Sequence, residues 1–151
     1  YLTEPSVSAG ICIIAHEPLA SALKSCARHI FSATGDTFCD SIAVFDVPCD
    51  VDVEQGEAEA RRLISNFPAD QGVLVFTDVL GATPSNIAHR LLDNPQVRVI
   101  TGVNLPALIT ALSHHEECAA RIAVIAEGAA RGGISTSCGK PSAIKDTANA
   151  D

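Results

Sequence analysis

Tryptophan and methionine are absent from this chain, and its 151 residues include only five phenylalanines and one tyrosine. With so few rings the core must be aliphatic, and a surface that stacks nucleobases is disfavoured. Positive charge is also scarce: 10 Lys and Arg against 18 Asp and Glu leave a formal net charge of -8. That balance argues against general affinity for nucleic acid or for an anionic membrane. No apolar run reaches the length of a transmembrane helix, and no basic start with an apolar core marks a signal peptide. Neither G-x-G-x-x-G nor the P-loop pattern follows any predicted strand, which disfavours a nucleotide-binding enzyme. The lack of methionine in a chain starting at Tyr1 raises the expectation that a few native residues precede it.

The six cysteines (Cys12, Cys26, Cys39, Cys49, Cys118, Cys138) include no C-x-x-C pair. They read as reduced thiols, several of them buried as small hydrophobes, and point to the reducing cytoplasm. The adjacent His114 and His115 have no ligand partner nearby in sequence, so no metal site is expected.

What is present is an alternating pattern. At 47% hydrophobic and 19% charged the chain is globular and suits one domain. Gly10-Ile11-Cys12-Ile13-Ile14-Ala15 suits a buried strand, with a helix over 18–31 carrying Leu19, Leu23, Cys26 and Ile30 at helical spacing. Pro18 fits that helix's first turn. A second strand falls at 41–47. Asp52 is placed to cap a helix turning Ala60, Leu63, Ile64 and Phe67 inward. Gly72-Val73-Leu74-Val75-Phe76 makes a third strand, and Thr83-Pro84 opens a helix with Ile87, Ala88, Leu91 and Leu92 on one face. A fourth strand at 96–101 leads to Asn104, the expected cap of a helix through Leu105, Leu108, Ile109 and Leu112. The alternation predicts an α/β fold: a doubly wound, mostly parallel sheet with helices on both faces.

Residues 116–130 suit a helix with Cys118, Ile122, Ile125 and Ala129 inward, although 122–126 also fits a buried strand. Ala-rich flanks favour the helix. A short final strand is expected at 134–137. The expected organisation is an extension over 1–9, a domain over 10–137 and a flexible tail over 138–151.

Two loops leave carboxyl ends of predicted strands, where open α/β sheets bind ligands. One carries His16. The other is Asp78-Val79-Leu80-Gly81-Ala82-Thr83-Pro84-Ser85-Asn86. If the two strands are neighbours, Asp78 would accept a proton from one imidazole nitrogen and leave the other with an exposed lone pair. Gly81 permits close backbone approach, Thr83 offers a hydroxyl, and free N–H groups at a helix start favour an anion. These features suit a histidine that accepts a phosphoryl group. Each residue also has an ordinary reading: His16 as a turn residue, Asp78 as a loop or capping residue, Thr83 as an N-cap, Asn104 as a cap first. His29, His89, His114 and His115 are expected to face solvent.

The segments Ile13-Ile14-Ala15-His16-Glu17-Pro18, Phe76-Thr77-Asp78-Val79-Leu80-Gly81-Ala82-Thr83-Pro84 and Thr101-Gly102-Val103-Asn104-Leu105-Pro106 together resemble the IIA domain of mannose-family sugar phosphotransferase systems. The resemblance spans about 10–137. It implies that His16 takes a phosphoryl group from the phosphohistidine of the carrier HPr and passes it to a IIB partner. It implies that Asp78 hydrogen-bonds His16 and that the Thr83 hydroxyl helps bind the phosphoryl oxygens; with the loop's backbone donors, Gly81, Ala82 and Thr83 are the expected phosphoryl-binding residues. It also implies a cytoplasmic homodimer that exchanges the strand at 134–137, with no metal or nucleotide cofactor. Thr83 stands where serine is common in that family, Ala82 where glycine is frequent, and Leu80 where an aromatic is frequent. No IIB domain follows, so a separate IIB protein is expected as acceptor. Competing readings are the phosphoryl-donor subunit of a dihydroxyacetone kinase and a non-catalytic regulatory module of the same fold.

Overall fold

The backbone follows the hydrophobic periods, and the computed structural model describes residues 8–141. Strand β1 (Gly10–His16) is followed by helix α1 (Leu19–Phe31), β2 (Ala43–Val47) and α2 (Val53–Ile64). Then come β3 (Val73–Thr77), α3 (Thr83–Arg90), β4 (Val97–Thr101), α4 (Leu105–Ser113) and α5 (Ala119–Gly132). All strand pairs are parallel, in the order β2-β1-β3-β4. The chain winds outward from β1 to β2, then crosses back to β3 on the other side. The winding direction therefore reverses between β1 and β3, which opens a crevice at their carboxyl ends.

Side chains alternate across the pleat, so β1 feeds two cores. Ile11, Ile13 and Ala15 join Leu74, Phe76 and Ile100 under α1, α4 and α5. Cys12 and Ile14 join Val73, Val75 and Val97 under α2 and α3. Burial pushes the Cys12 thiol up to about 12, which leaves it inert as a nucleophile.

Both expected caps form. Asp52 Oδ1 accepts the Gln55 N–H at 2.8 Å, and Asn104 Oδ1 accepts the Ala107 N–H at 3.0 Å. Several inward faces differ from expectation. On α1 the buried residues are Ala20, Leu23 and Ala27, while Leu19, Cys26 and Ile30 are exposed. Small residues there let the helix lie close to the sheet, and spacing alone selected the larger ones. Pro18 is the N-cap of α1 and not a residue of its first turn. Leu92 is exposed because the helix tightens into a 3₁₀ turn at Leu91–Asp93. The segment 122–126 is helical and not a strand, but the helix starts only at Ala119: Cys118 is the exposed N-cap, and Ala119, Ile122 and Ala126 face inward. Only Cys12 and Cys39 are buried among the six free thiols.

His29 and His89 are exposed, whereas His114 and His115 are half-buried. His115 stacks on Phe38 with ring centroids 4.6 Å apart. Residues 134–137 form no strand within this chain and are exposed, since a lone segment needs a ladder partner. Residues 1–7 and 142–151, part of the expected extension and tail, lie outside the described residues.

Candidate functional site

His16 is the last residue of β1, and Asp78 directly follows β3. Pairing of Ile14 with Thr77 aligns the two strand ends. The His16 Nδ1 lies 2.7 Å from Asp78 Oδ2. The same oxygen accepts the His16 backbone N–H at 2.9 Å, and Oδ1 accepts the Val79 N–H at 2.8 Å. An ionised carboxylate only accepts, so Nδ1 carries the proton and Nε2 keeps its lone pair. Half of the imidazole surface is exposed (52%), against 10% of the Asp78 side chain. Burial disfavours the charged form of Asp78, but hydrogen bonds from the His16 N–H, its ring and the Val79 N–H outweigh it. The carboxyl is held below its ordinary value.

The loop after β4 supports this pair, a role that the sequence reading missed. Gly102, at φ 84°, donates its N–H to the Asp78 carbonyl at 2.7 Å, and Val103 donates to the Thr77 carbonyl at 3.0 Å. Asn104 is a cap, and its Nδ2 also donates to the Ala130 carbonyl at 3.0 Å. It thus ties the start of α4 to the end of α5. A glycine two residues before a cap was the available signal, although nothing local says what its N–H meets.

Gly81, Ala82 and Thr83 lie on the loop from β3 to α3, beside β1. Ala82 is the N-cap of α3, and Thr83 is its first residue. The N-cap reading of Thr83 is therefore corrected: no side-chain capping bond starts this helix, and the Thr83 hydroxyl is not used as a cap. Gly81 has φ 90°, and a Cβ there would meet open space. Only backbone strain then opposes a side chain. Gly81→Ala should lower the unfolding free energy by about 1–2 kcal/mol in a denaturant titration. Val79 and Leu80 on the same loop are 60% and 73% exposed. Among the described residues no group of three or more His, Cys, Asp or Glu side chains is placed to hold a metal ion. No helix there is long and apolar enough to cross a membrane.

A parallel doubly wound domain that presents a carboxylate-oriented histidine at its switch point defines the class of protein. Residues 10–129 match the family model described as the PTS system fructose IIA component, and the chain belongs to that family, the mannose-type IIA components of the sugar phosphotransferase system. No curated protein sequence matches it.

Solved structures share the fold. The mannose/sorbose-specific IIA subunit from Enterococcus faecalis superposes with a TM-score of 0.76 at 20% identity, covering 91% of this chain and 99% of that one. A phosphotransferase system EIIA component from Streptococcus agalactiae gives 0.72 at 20% identity, covering 85% and 96%. A sigma-54 interaction domain protein from Enterococcus faecalis gives 0.69 at 13% identity, covering 85% and 94%.

Proposed function

We propose that this chain is a phosphoryl carrier of a sugar phosphotransferase system, with His16 as the residue that is phosphorylated. The reading rests on the 2.7 Å contact between His16 Nδ1 and Asp78 Oδ2. In this mechanism the Nε2 lone pair attacks the phosphorus of the phosphohistidine on HPr. The donor's N–P bond breaks as the new N–P bond forms, and the donor imidazole leaves with the electron pair. The proton stays on Nδ1, where Asp78 stabilises the positive charge that the ring acquires. One N–P bond is exchanged for another, so the donor itself supplies the transfer potential. Gly81, Ala82 and Thr83 receive the phosphoryl oxygens through backbone N–H groups and the Thr83 hydroxyl. A second transfer, to a IIB partner, regenerates the free histidine.

The carrier works in the cytoplasm, as a homodimer in which residues 134–137 of each copy pair with the other. An edge strand, β4, and a cavity of about 340 Å³ beside it, lined by Val99, Thr101, Ala130 and Ile134 among others, support the exchange. A second reading, in which phosphorylation of His16 serves regulation, is favoured by the shared fold of the sigma-54 interaction domain protein.

The test is phosphoryl transfer from labelled phosphoenolpyruvate through enzyme I and HPr. The full chain should acquire acid-labile, alkali-stable label. A folded chain that stays unlabelled beside active HPr would overturn the carrier reading. Thr83→Ala should weaken phosphoryl stabilisation by about 1–2 kcal/mol, the scale of one hydrogen bond to a charged group. The phosphorylation equilibrium against HPr measures it.

A further inference from the structure

Helix α1 begins without a cap of its own. Its N-cap is Pro18, whose ring offers no acceptor to the N–H groups that a first helical turn leaves unpaired. The acceptor comes instead from the neighbouring strand. Asp46, on β2 and in register with Ala15, accepts the Ser21 N–H through Oδ1 at 3.0 Å and the Ser21 hydroxyl through Oδ2 at 2.5 Å. Ser21 is the third residue of α1, the position whose amide an N-cap side chain normally takes. A carboxylate there also meets the positive end of the helix dipole. Asp46 therefore performs from β2 the capping that residue 18 cannot.

This cap lies close to His16. The link from β1 to α1 is only Glu17 and Pro18, and the Glu17 N–H bonds the Val47 carbonyl at 3.1 Å. Val47 is the residue after Asp46 and the register partner of His16. Residues 46 and 47 thus grip the chain just past His16, while Asp78 holds its N–H and its ring. Without the first grip, the start of α1 and the backbone leaving His16 are free to shift, and a 2.7 Å ring contact tolerates little shift.

We propose that Asp46, acting through Ser21 and the start of α1, is a positioning residue for His16 that keeps its imidazole in the Nδ1–H form with Nε2 presented for transfer. The inference deepens the carrier reading and rests on it for its kinetic consequence. The consequence for the ring itself does not depend on any partner.

The experiment uses the full chain and two readouts. Ring ¹⁵N shifts of His16 report which nitrogen carries the proton, and single-turnover transfer from phospho-HPr reports rate against donor concentration. Wild type should show the Nδ1–H tautomer. Asp46→Ala should mix the tautomers and slow transfer at saturating donor by about 10- to 100-fold, with the half-saturating donor concentration unchanged. Asp46→Asn should restore both readouts. Its Oδ1 still accepts the Ser21 N–H, its Nδ2 donates to the Ser21 hydroxyl, and that hydroxyl turns to the Pro18 carbonyl, 3.3 Å away.

A purely structural cap would lower the melting temperature of Asp46→Ala while leaving tautomer and rate as in wild type, and that result overturns the proposal. If Asp46→Ala does not fold, Asp46→Thr keeps a strand-forming residue but falls one atom short of Ser21, and the same outcomes decide. Wild type that takes no label from phospho-HPr defeats the carrier reading alone, because the tautomer comparison still tests the role of Asp46.

Discussion

His16→Ala is expected to take up no phosphoryl group from phospho-HPr while keeping the fold. In the proposed mechanism the ring is the acceptor, so its removal would eliminate the step and not merely slow it. Among the described residues no other histidine, His29 included, is paired with a carboxylate. The Nδ1 atoms of His89, His114 and His115 bond backbone carbonyls, which fix a tautomer but provide no negative charge to balance an imidazolium. Stability should change by less than about 1 kcal/mol, since the side chain is half-exposed. Asp78 would still accept the N–H groups of residues 16 and 79. The measurement is label incorporation beside a thermal melt. Residual acid-labile label on the variant would move the phosphorylation site elsewhere.

Asp78→Asn is expected to slow transfer by about 10²- to 10⁴-fold, the range set by losing the correct tautomer and its charge partner. The carboxylate uses both oxygens as acceptors: Oδ1 for Val79 N–H, Oδ2 for His16 N–H and ring. An amide has one acceptor and one donor. If its oxygen faces Val79, its NH₂ faces both the His16 N–H, which loses its acceptor, and the ring, which must accept through Nδ1. The proton then moves to Nε2, where it blocks attack. Wild-type rates would remove Asp78 from the mechanism.

The same substitution has a pH signature. The native Asp78 carboxyl is held below its ordinary value, so its contribution to stability is present above the unfolded carboxylate range. That contribution is lost as pH falls through the native value. The variant has no such group, and its stability should decline less steeply on the acid side. Denaturant titrations of both proteins between neutral and acid pH measure the difference.

How far the site was legible follows from where its information lies. The apolar runs 10–15 and 72–76 read as strands, because each is short, continuous and bounded by turn residues. Asp52 and Asn104 announce their helices through local side-chain chemistry. The inward face of α1 was not legible, because Ala20 and Ala27 are buried by close helix–sheet approach while larger residues beside them face out. His115 looked like a solvent-facing residue until Phe38 was placed against it. Thr83 looked like a cap, but the N-cap lies one residue earlier, at Ala82, and Thr83 is the first residue of the helix.

Sequence alone determined the order of the four strands and five α-helices among the described residues, but not that 134–137 forms no strand within the chain. It also determined the positions of His16, Asp78 and Thr83 at loop ends and the family those loops resemble. These depend on period, turn chemistry and local spacing. Only the tertiary structure decided that residues 62 apart share a hydrogen bond. It also decided that Gly102 and Val103 hold the backbone of Asp78, and that Asp46 caps a helix on another segment. Such contacts follow from which strand lies beside which, a choice made by packing two apolar faces at once and written in no single stretch of the chain.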